Sequence, residues 1–290
     1  MNEPKPQAPT EQSLRMLLLQ GAAFYEMIEK QISKWNLPWR VEKHPDGTAT
    51  LEPIFSTGES HLNKFITVNP LMLSMKDRAR KMMLTEHPVL ITGETGTGKE
   101  LIAKSMIGDR KGLIQALNCA GFPSELIESE LFGHVKGAFT GAYSDKIGLM
   151  QSAENGICFL DEVGELEMPV QSKLLRALAE KRIRPVGSNK SVDISCKFVY
   201  ATNRDLKKMT EGLHPSFRLD LYARISTLEV DLLPLRNRME DCIPIVSSMD
   251  GGEKFLLKYG KDLTEGKLDL RLNVRSLEQY VTRYNVLGEI

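Results

Sequence analysis

The sequence has no excess of either charge sign, because Lys+Arg and Asp+Glu both total 38. A dedicated nucleic-acid-binding protein usually carries a basic excess, so the balance argues against that class. No apolar run approaches the roughly 20 residues that a membrane-spanning helix needs. Residues 1–10 are Pro-rich and polar, unlike a secretory signal. We therefore expect a cytoplasmic protein that makes no membrane contact.

Paired cysteines are also lacking. The four cysteines are far apart and show neither Cys-x-x-Cys spacing nor a nearby histidine pattern; they are Cys119, Cys158, Cys196 and Cys242. This arrangement argues against a zinc site and against a disulfide framework, so we expect reduced core residues. The remaining composition, 41% hydrophobic and 26% charged, is typical of a globular protein.

From residue 64 onward, short apolar runs alternate with helix-like segments. The apolar runs are 89–92, 113–117, 157–160, 198–201 and 227–230, and the main helix-like segments are 98–107, 124–131 and 170–180. Such runs are typical of strands buried on both faces of a parallel sheet. The alternation predicts an α/β sandwich with a parallel sheet.

The two ends of the chain differ from this central pattern. Apolar residues at helical spacing predict a helix over 11–34, and residues 39–52 predict a hairpin that turns at 45–47. A linker is expected around 55–64. Residues after Pro244 are polar and helix-like. We therefore divide the chain into a helix-and-hairpin appendage (1–64), an α/β core (65–240) and a short helical lid (241–290).

A glycine-rich run directly follows the first apolar run of the core and precedes a helix-like segment. It consists of Gly93, Glu94, Thr95, Gly96, Thr97, Gly98 and Lys99. This context is typical of a phosphate-binding loop (Walker A), in which backbone N–H groups surround phosphate oxygens and the lysine reaches the β- and γ-phosphates. Glu100 replaces the usual Ser or Thr ligand of Mg²⁺. Either Thr97 or acids elsewhere help to hold the metal, or hydrolysis is impaired.

Two acids end the apolar run 157–160. Asp161 is placed to bind Mg²⁺, and Glu162 is placed to polarise an attacking water. A helix cap after a strand is the alternative for this pair alone, and the phosphate loop upstream favours catalysis. Thr202 and Asn203 end another apolar run. They are candidates for contact with the γ-phosphate or the water, although a plain strand-end turn is the alternative.

Two further features have a plain structural alternative. Arg218 and Arg224 are candidates for stabilising phosphoryl charge across a subunit boundary, or they are surface arginines. The other feature is a hexapeptide that suits a mobile loop presenting Phe139 to another protein, or an ordinary glycine-rich turn. The hexapeptide is Gly137, Ala138, Phe139, Thr140, Gly141 and Ala142.

Together these motifs resemble the AAA+ domain of bacterial enhancer-binding proteins, the activators of sigma-54 RNA polymerase. The phosphate loop is similar to that of the family, including Glu100, and the match extends over about 69–244. The resemblance implies that Phe139 and Thr140 contact sigma-54. It also implies that Asn118 holds the catalytic glutamate, Glu162, until the nucleotide state changes.

The resemblance further implies an ATPase that uses ATP and Mg²⁺ and forms a homo-oligomeric ring, hexameric with heptamers as the alternative, with ATP at the subunit boundaries. Arg218 and Arg224 match the arginines that act across those boundaries. The partner that the resemblance implies is the sigma-54 RNA polymerase holoenzyme, whose closed promoter complex would be remodelled. No DNA-binding domain is recognised after the lid, so promoter DNA is expected to be contacted mainly indirectly.

The lid departs from the family pattern. Arg275 matches the second sensor arginine, which contacts nucleotide, but the surrounding proline, glycine and glutamate are missing. Two other functions therefore stay open: a ring ATPase that remodels a different client, and a nucleotide-gated scaffold or inhibitor of related activators.

Overall fold

The computed structural model describes Ile28, Lys30, residues 39–43, residues 49–53 and residues 57–290. Ile28 and Lys30 are helical, and the rest of the helix predicted over 11–34 lies outside the described residues, as does the turn at 45–47. Strand β1 (Trp39–Lys43) pairs antiparallel with β2 (Ala49–Pro53), which confirms the predicted hairpin.

The linker predicted around 55–64 is wrong for residues 57–63, which form helix α1 (Thr57–Asn63). Gly58 allows this helix to pack tightly, because a Cβ there would lie 2.3 Å from the carbonyl oxygen of Ser105. The backbone N–H of Gly58 donates to the carbonyl of Gly108 at 3.1 Å, and Leu62 is fully buried. The glycine and the polar residues suggested a linker, but here they serve close packing of a helix.

Helix α2 begins after an N-cap, since the side chain of Asn69 accepts hydrogen bonds from the backbone N–H groups of Leu71 and Met72. The elements of the α/β region that follow α1 are α2 (Pro70–Met83), β3 (Val89–Gly93), α3 (Lys99–Ser105), β4 (Ile114–Asn118), α4 (Ser124–Phe132), β5 (Gly133–His134), β6 (Lys146–Ile147), α5 (Leu149–Ser152), β7 (Ile157–Asp161), α6 (Met168–Glu180), β8 (Arg182–Ile183), β9 (Val192–Asp193), β10 (Lys197–Thr202), α7 (Leu206–Met209), α8 (Leu219–Ile225) and β11 (Leu228–Leu232).

Five strands form one parallel sheet in the order β11-β3-β10-β7-β4. Each coincides with one of the five apolar runs to within two residues, so the predicted α/β fold is confirmed. Two separate clusters of buried apolar side chains lie against this sheet. Because the strands are parallel, the carboxyl ends of β3, β7 and β10 lie at one edge, and this edge carries the candidate site.

Three helices follow the sheet: α9 (Cys242–Ser247), α10 (Gly252–Thr264) and α11 (Val274–Leu287). They enclose a small core of their own, built around Phe255, Leu263, Leu277 and Val281. Among the helices that the structure describes, none is long and apolar enough to cross a membrane. All four cysteines are buried and free, as expected.

Lys197 is buried at the C-terminal end of α2, where its Nζ donates to the carbonyl oxygens of Met82 at 2.6 Å and Thr85 at 2.7 Å. Burial, with the nearby charge of Arg110, lowers the pKa of Lys197 from 10.5 to about 8. Between these values the unfolded chain binds more protons than the folded chain, so the free energy of unfolding rises with pH.

We expect the parent protein to gain roughly 2 kcal/mol of stability relative to Lys197→Met between pH 8 and pH 10. Urea unfolding of both proteins across this range measures the difference. A difference that stays constant or shrinks as the pH rises would contradict the assignment.

Candidate functional site

The phosphate loop connects β3 to α3 and depends on glycine at two points. Gly96 and Gly98 have φ values of 78° and 106°, and a Cβ on Gly98 would lie 2.9 Å from the ring of Phe65. Lys99, only 8% exposed, donates from Nζ to the carbonyl oxygen of Gly93 at 2.9 Å. The lysine charge is therefore held inside the loop.

The acid pair lies next to this lysine. Asp161 ends β7, and one carboxylate oxygen of Glu162 is 3.6 Å from Lys99 Nζ. The other oxygen accepts from the backbone N–H of Asn203 at 3.1 Å. Burial, together with the negative charge of Glu162, raises the pKa of Asp161 above its ordinary value. The pair thus concentrates negative charge that a bound cation would neutralise.

A cavity of about 590 Å³ opens in front of the loop and the acids. Its polar lining includes the phosphate loop, Asp161 and Glu162, and its apolar lining includes Phe65, Ile66, Ile245 and Met249. These four apolar residues carry no sequence motif, because they come from the start of the core and from the lid and come together only in the fold. The cavity suits a ligand that has both charged and apolar groups.

Arg275 also lines this cavity, and its guanidinium makes no hydrogen bond or ion pair with any residue that the structure describes. Glu100 lies at the cavity and forms an ion pair with Lys104 at 2.7 Å. The Thr97 hydroxyl is buried and donates to the carbonyl oxygen of Glu94 at 2.8 Å, so it is engaged within the loop.

Asn118 lies at the end of β4 and lines the cavity, but it is not bonded to Glu162 in this structure. Its Oδ1 instead accepts from the backbone N–H of Ala120 at 2.8 Å and closes a local turn. The expected hydrogen bond between Asn118 and Glu162 is therefore not formed here, because Glu162 is held by Asn203 and Lys99.

The candidate sensor residues at the end of β10 occupy different environments. Thr202 is fully buried, and its hydroxyl accepts from the backbone N–H of Arg204 at 3.1 Å, so it does not face the cavity. Asn203 is exposed, and its Nδ2 is 3.5 Å from the hydroxyl of Thr95 in the phosphate loop. The structure thus brings Asn203 to the loop and the acids, but not the Thr202 side chain.

The two candidate arginines do not line the cavity. Arg218 forms an ion pair with Asp220 at 2.7 Å and donates to the hydroxyl of Ser172 at 3.1 Å. Arg224 donates to the carbonyl oxygen of Leu178 at 3.2 Å. Their role across a subunit boundary stays a prediction.

The hexapeptide forms the tip of a surface loop whose base is the pairing of β5 with β6. The backbone N–H of Gly137 donates to the carbonyl of Ala142 at 2.8 Å, which closes the tip. Phe139 is 42% exposed, and its ring lies edge-on to the ring of His134 with centroids 5.0 Å apart. No residue of the hexapeptide lines the cavity.

A buried arginine that could not be identified from the sequence connects the phosphate loop to other residues around the cavity. Arg238 is 1% exposed, forms an ion pair with the equally buried Asp241, and donates to the carbonyl oxygen of Thr97 at 2.9 Å. Its guanidinium also lies over the ring of Phe65, 5.2 Å from the centroid. Arg238 therefore supports both the phosphate loop and the Phe65 ring in the cavity lining.

The residues present fit a magnesium ion held together with a phosphate-bearing ligand. Across residues 57–290 and the other described positions, no group of three or more His, Cys, Asp or Glu side chains could hold a metal alone. Mg²⁺ needs only one or two protein carboxylates when substrate phosphates and water complete its shell. Asp161, which ends β7 and lines the cavity, is the carboxylate suited to this position.

Asp161→Asn is expected to stabilise the ligand-free protein at neutral pH. Because the folded-state pKa is raised, the folded chain binds more protons than the unfolded chain just above pH 3.8, and its stability falls as the pH rises through that window. The neutral amide avoids this loss. We expect a higher melting temperature than that of the parent at pH 7, measured by differential scanning calorimetry. A lower value would contradict the charge-crowding argument.

The chain is also similar in sequence to known proteins. A family model described as the sigma-54 interaction domain matches residues 65–231. Transcriptional regulatory protein GlrR of Escherichia coli (strain K12) is 43% identical over 198 residues, which cover 67% of this chain and 44% of that protein. Sigma54-dependent transcriptional activator SfnR of Pseudomonas putida is 42% identical over 68% of this chain and 56% of its own length.

The crystal structure of NtrX from Brucella abortus in complex with ATP superposes with a TM-score of 0.63 at 26% identity, over 77% of this chain and 50% of that one. This chain therefore spans about half the length of the curated relatives it matches.

Proposed function

This chain belongs to the sigma-54 interaction domain family, and from that membership we propose that it hydrolyses ATP to remodel the closed promoter complex of sigma-54 RNA polymerase. One observation carries the proposal: a single domain contains both a cavity built from a phosphate loop and an acid pair and an exposed loop that presents Phe139. The AAA+ fold joins these two parts.

The cavity supplies the groups that ATP hydrolysis needs. The phosphate loop and Lys99 would hold the β- and γ-phosphates, and the apolar lining residues would accept the adenine ring. Asp161 would hold Mg²⁺, which neutralises phosphate charge when bound. Glu162, already fixed by Asn203, is placed to accept the proton of the attacking water.

Consecutive elements of the chain connect this cavity to the Phe139 loop. Asn118 ends β4 at the cavity, α4 follows, and β5 and the hexapeptide come directly after α4. A rearrangement at Glu162 and Asn118 would therefore reach the loop through one helix. Such a loop is a two-state element that the nucleotide biases.

A homo-hexameric ring is part of the proposal. Arg218 and Arg224 lie outside the chain's own cavity, as arginines that complete a neighbouring subunit's site would. Arginines of this kind contribute roughly 10³–10⁵ in rate. If they do so here, the rate of phosphate release per subunit rises with protein concentration as rings assemble.

The decisive experiment is ATP-dependent open-complex formation with purified sigma-54 holoenzyme on a sigma-54 promoter, with Lys99→Ala as the inactive control. The proposal expects open complexes only with the parent protein and ATP. Phosphate release without open complexes, together with no sigma-54 binding in an ATP transition-state analogue, would indicate a different client. No concentration-dependent phosphate release would indicate a nucleotide-gated scaffold or inhibitor.

A further inference from the structure

Asn273 is a buried, strained residue at the junction of the phosphate loop and the lid, directly before α11. Its side chain is 1% exposed, and its backbone has φ 57° and ψ −130°, a region that glycine favours. A residue with a side chain keeps such a conformation only where its surroundings enforce it, and such residues cluster at ligand-binding sites.

The side-chain amide of Asn273 joins two segments of the cavity wall. Its Nδ2 donates to the carbonyl oxygen of Thr95 in the phosphate loop at 3.0 Å. Its Oδ1 accepts from the backbone N–H of Leu235, in the segment that leads to the lid, at 2.6 Å. Both ends of the amide are therefore engaged, and breaking the bridge would leave buried polar groups unpaired.

The residues around Asn273 continue this attachment. The backbone N–H of Val274 donates to the carbonyl oxygen of Gly96 at 3.1 Å. A Cβ on Gly96 would lie 2.1 Å from the carbonyl oxygen of Leu272, so the two backbones are in direct contact. Arg275, one residue further, lines the cavity, and its guanidinium has no partner within the described part of the chain.

Arg236 and Glu94 form an ion pair that also connects the phosphate loop to the segment leading to the lid. The guanidinium donates to both carboxylate oxygens, at 2.6 Å and 2.7 Å. This pairing lowers the pKa of Glu94, which keeps a negative charge next to the Asn273 amide. A neutral donor is therefore suited to position 273, and a carboxylate is not.

We propose that Asn273 is a positioning residue that fixes Arg275 against the phosphates of bound ATP. The inference rests on the proposed function and deepens it, since it assigns control of nucleotide affinity to the bridge between the phosphate loop and the lid. Asn273 does not touch the nucleotide itself. Its effect on affinity passes through Arg275, two residues away.

A double-mutant cycle on the full chain tests this dependence. The variants are Asn273→Gly, Arg275→Ala and the double variant, and the measurement is the dissociation constant of a fluorescent ATP analogue with Mg²⁺. We expect each single change to weaken binding about tenfold, the size of a lost charge-assisted hydrogen bond. The double variant should bind no more weakly than Arg275→Ala alone, because the two residues act in series.

Glycine is the informative substitution at position 273 because it adopts positive φ without strain, so the local backbone should be kept. The melting temperature should fall only by the cost of leaving the Leu235 N–H and the Thr95 carbonyl unpaired. Asn273→Asp is the second variant: it keeps an acceptor for Leu235 but loses the donor to Thr95, and it should also weaken binding. Asn285→Ala is the matched control, since this lid asparagine bonds to the carbonyl oxygen of Asp250 and binding should be unchanged.

Additive weakening in the double variant, or parent-like affinity of Asn273→Gly and Asn273→Asp, would overturn the inference while leaving the proposed function intact. Failure of the parent protein to bind the analogue would instead remove the proposed function, and this inference with it.

Discussion

Glu162→Gln is expected to reduce ATP turnover by roughly 10²–10⁴-fold while ATP binding persists. The amide keeps the size of the side chain and an acceptor for the backbone N–H of Asn203, but it cannot take a proton from water. The phosphate loop and Lys99 are unchanged, so the nucleotide still binds. Single-turnover phosphate release and equilibrium binding of an ATP analogue measure the two effects separately.

Glu165→Gln is the matched control for this result. Glu165 lies three residues further along, forms an ion pair with Arg204 at 2.6 Å, and does not line the cavity. Its replacement should leave turnover near the parent value. A Glu162→Gln protein that keeps turnover within tenfold of the parent would assign the general base to another residue.

Phe139→Ala is expected to eliminate open-complex formation while ATP hydrolysis continues near the parent rate. The side chain is 42% exposed at the tip of a loop that lies outside the nucleotide cavity, so its removal does not disturb the phosphate loop or the acids. Under the proposed function, the variant loses the aromatic surface that would contact the polymerase. Promoter opening and phosphate release, measured in the same reactions, separate the two activities.

Tyr143→Ala provides the comparison, because Tyr143 is an aromatic residue just after the hexapeptide and is 86% exposed. It should open promoters as the parent does. Normal promoter opening by Phe139→Ala would show that the hexapeptide is not the contact surface, and loss of opening in both variants would remove the special role of Phe139.

The sheet was predictable from sequence because each buried parallel strand is a short apolar run on its own. The carboxyl ends of β3 and β7 could likewise be assigned, since a glycine-rich loop and two acids follow those runs directly. The family resemblance supplied the function. The hairpin was predictable because a Pro-Asp-Gly turn separates two strand-like segments.

Other parts of the site could not be predicted because they depend on packing between distant segments. The sequence predicts a linker where helix α1 lies, because the close approach of Gly58 to Ser105 has no local signal. Nothing in the sequence around Arg238 and Asp241 indicates that these two charged side chains are buried, but the fold buries both. The Asn118 side chain had two partners available, and the local turn at Ala120 is the one formed here.

The ion pair of Arg238 and Asp241 limits which shorter fragments of this domain can fold. Asp241 also accepts from the backbone N–H of Val68 at 2.6 Å and from the hydroxyl of Thr67 at 2.7 Å. A fragment ending at residue 240 would leave one guanidinium buried without its counter-ion, a loss of several kcal/mol. An excised sheet region is therefore not a self-sufficient folding unit, and recombinant fragments should retain the helices that follow it.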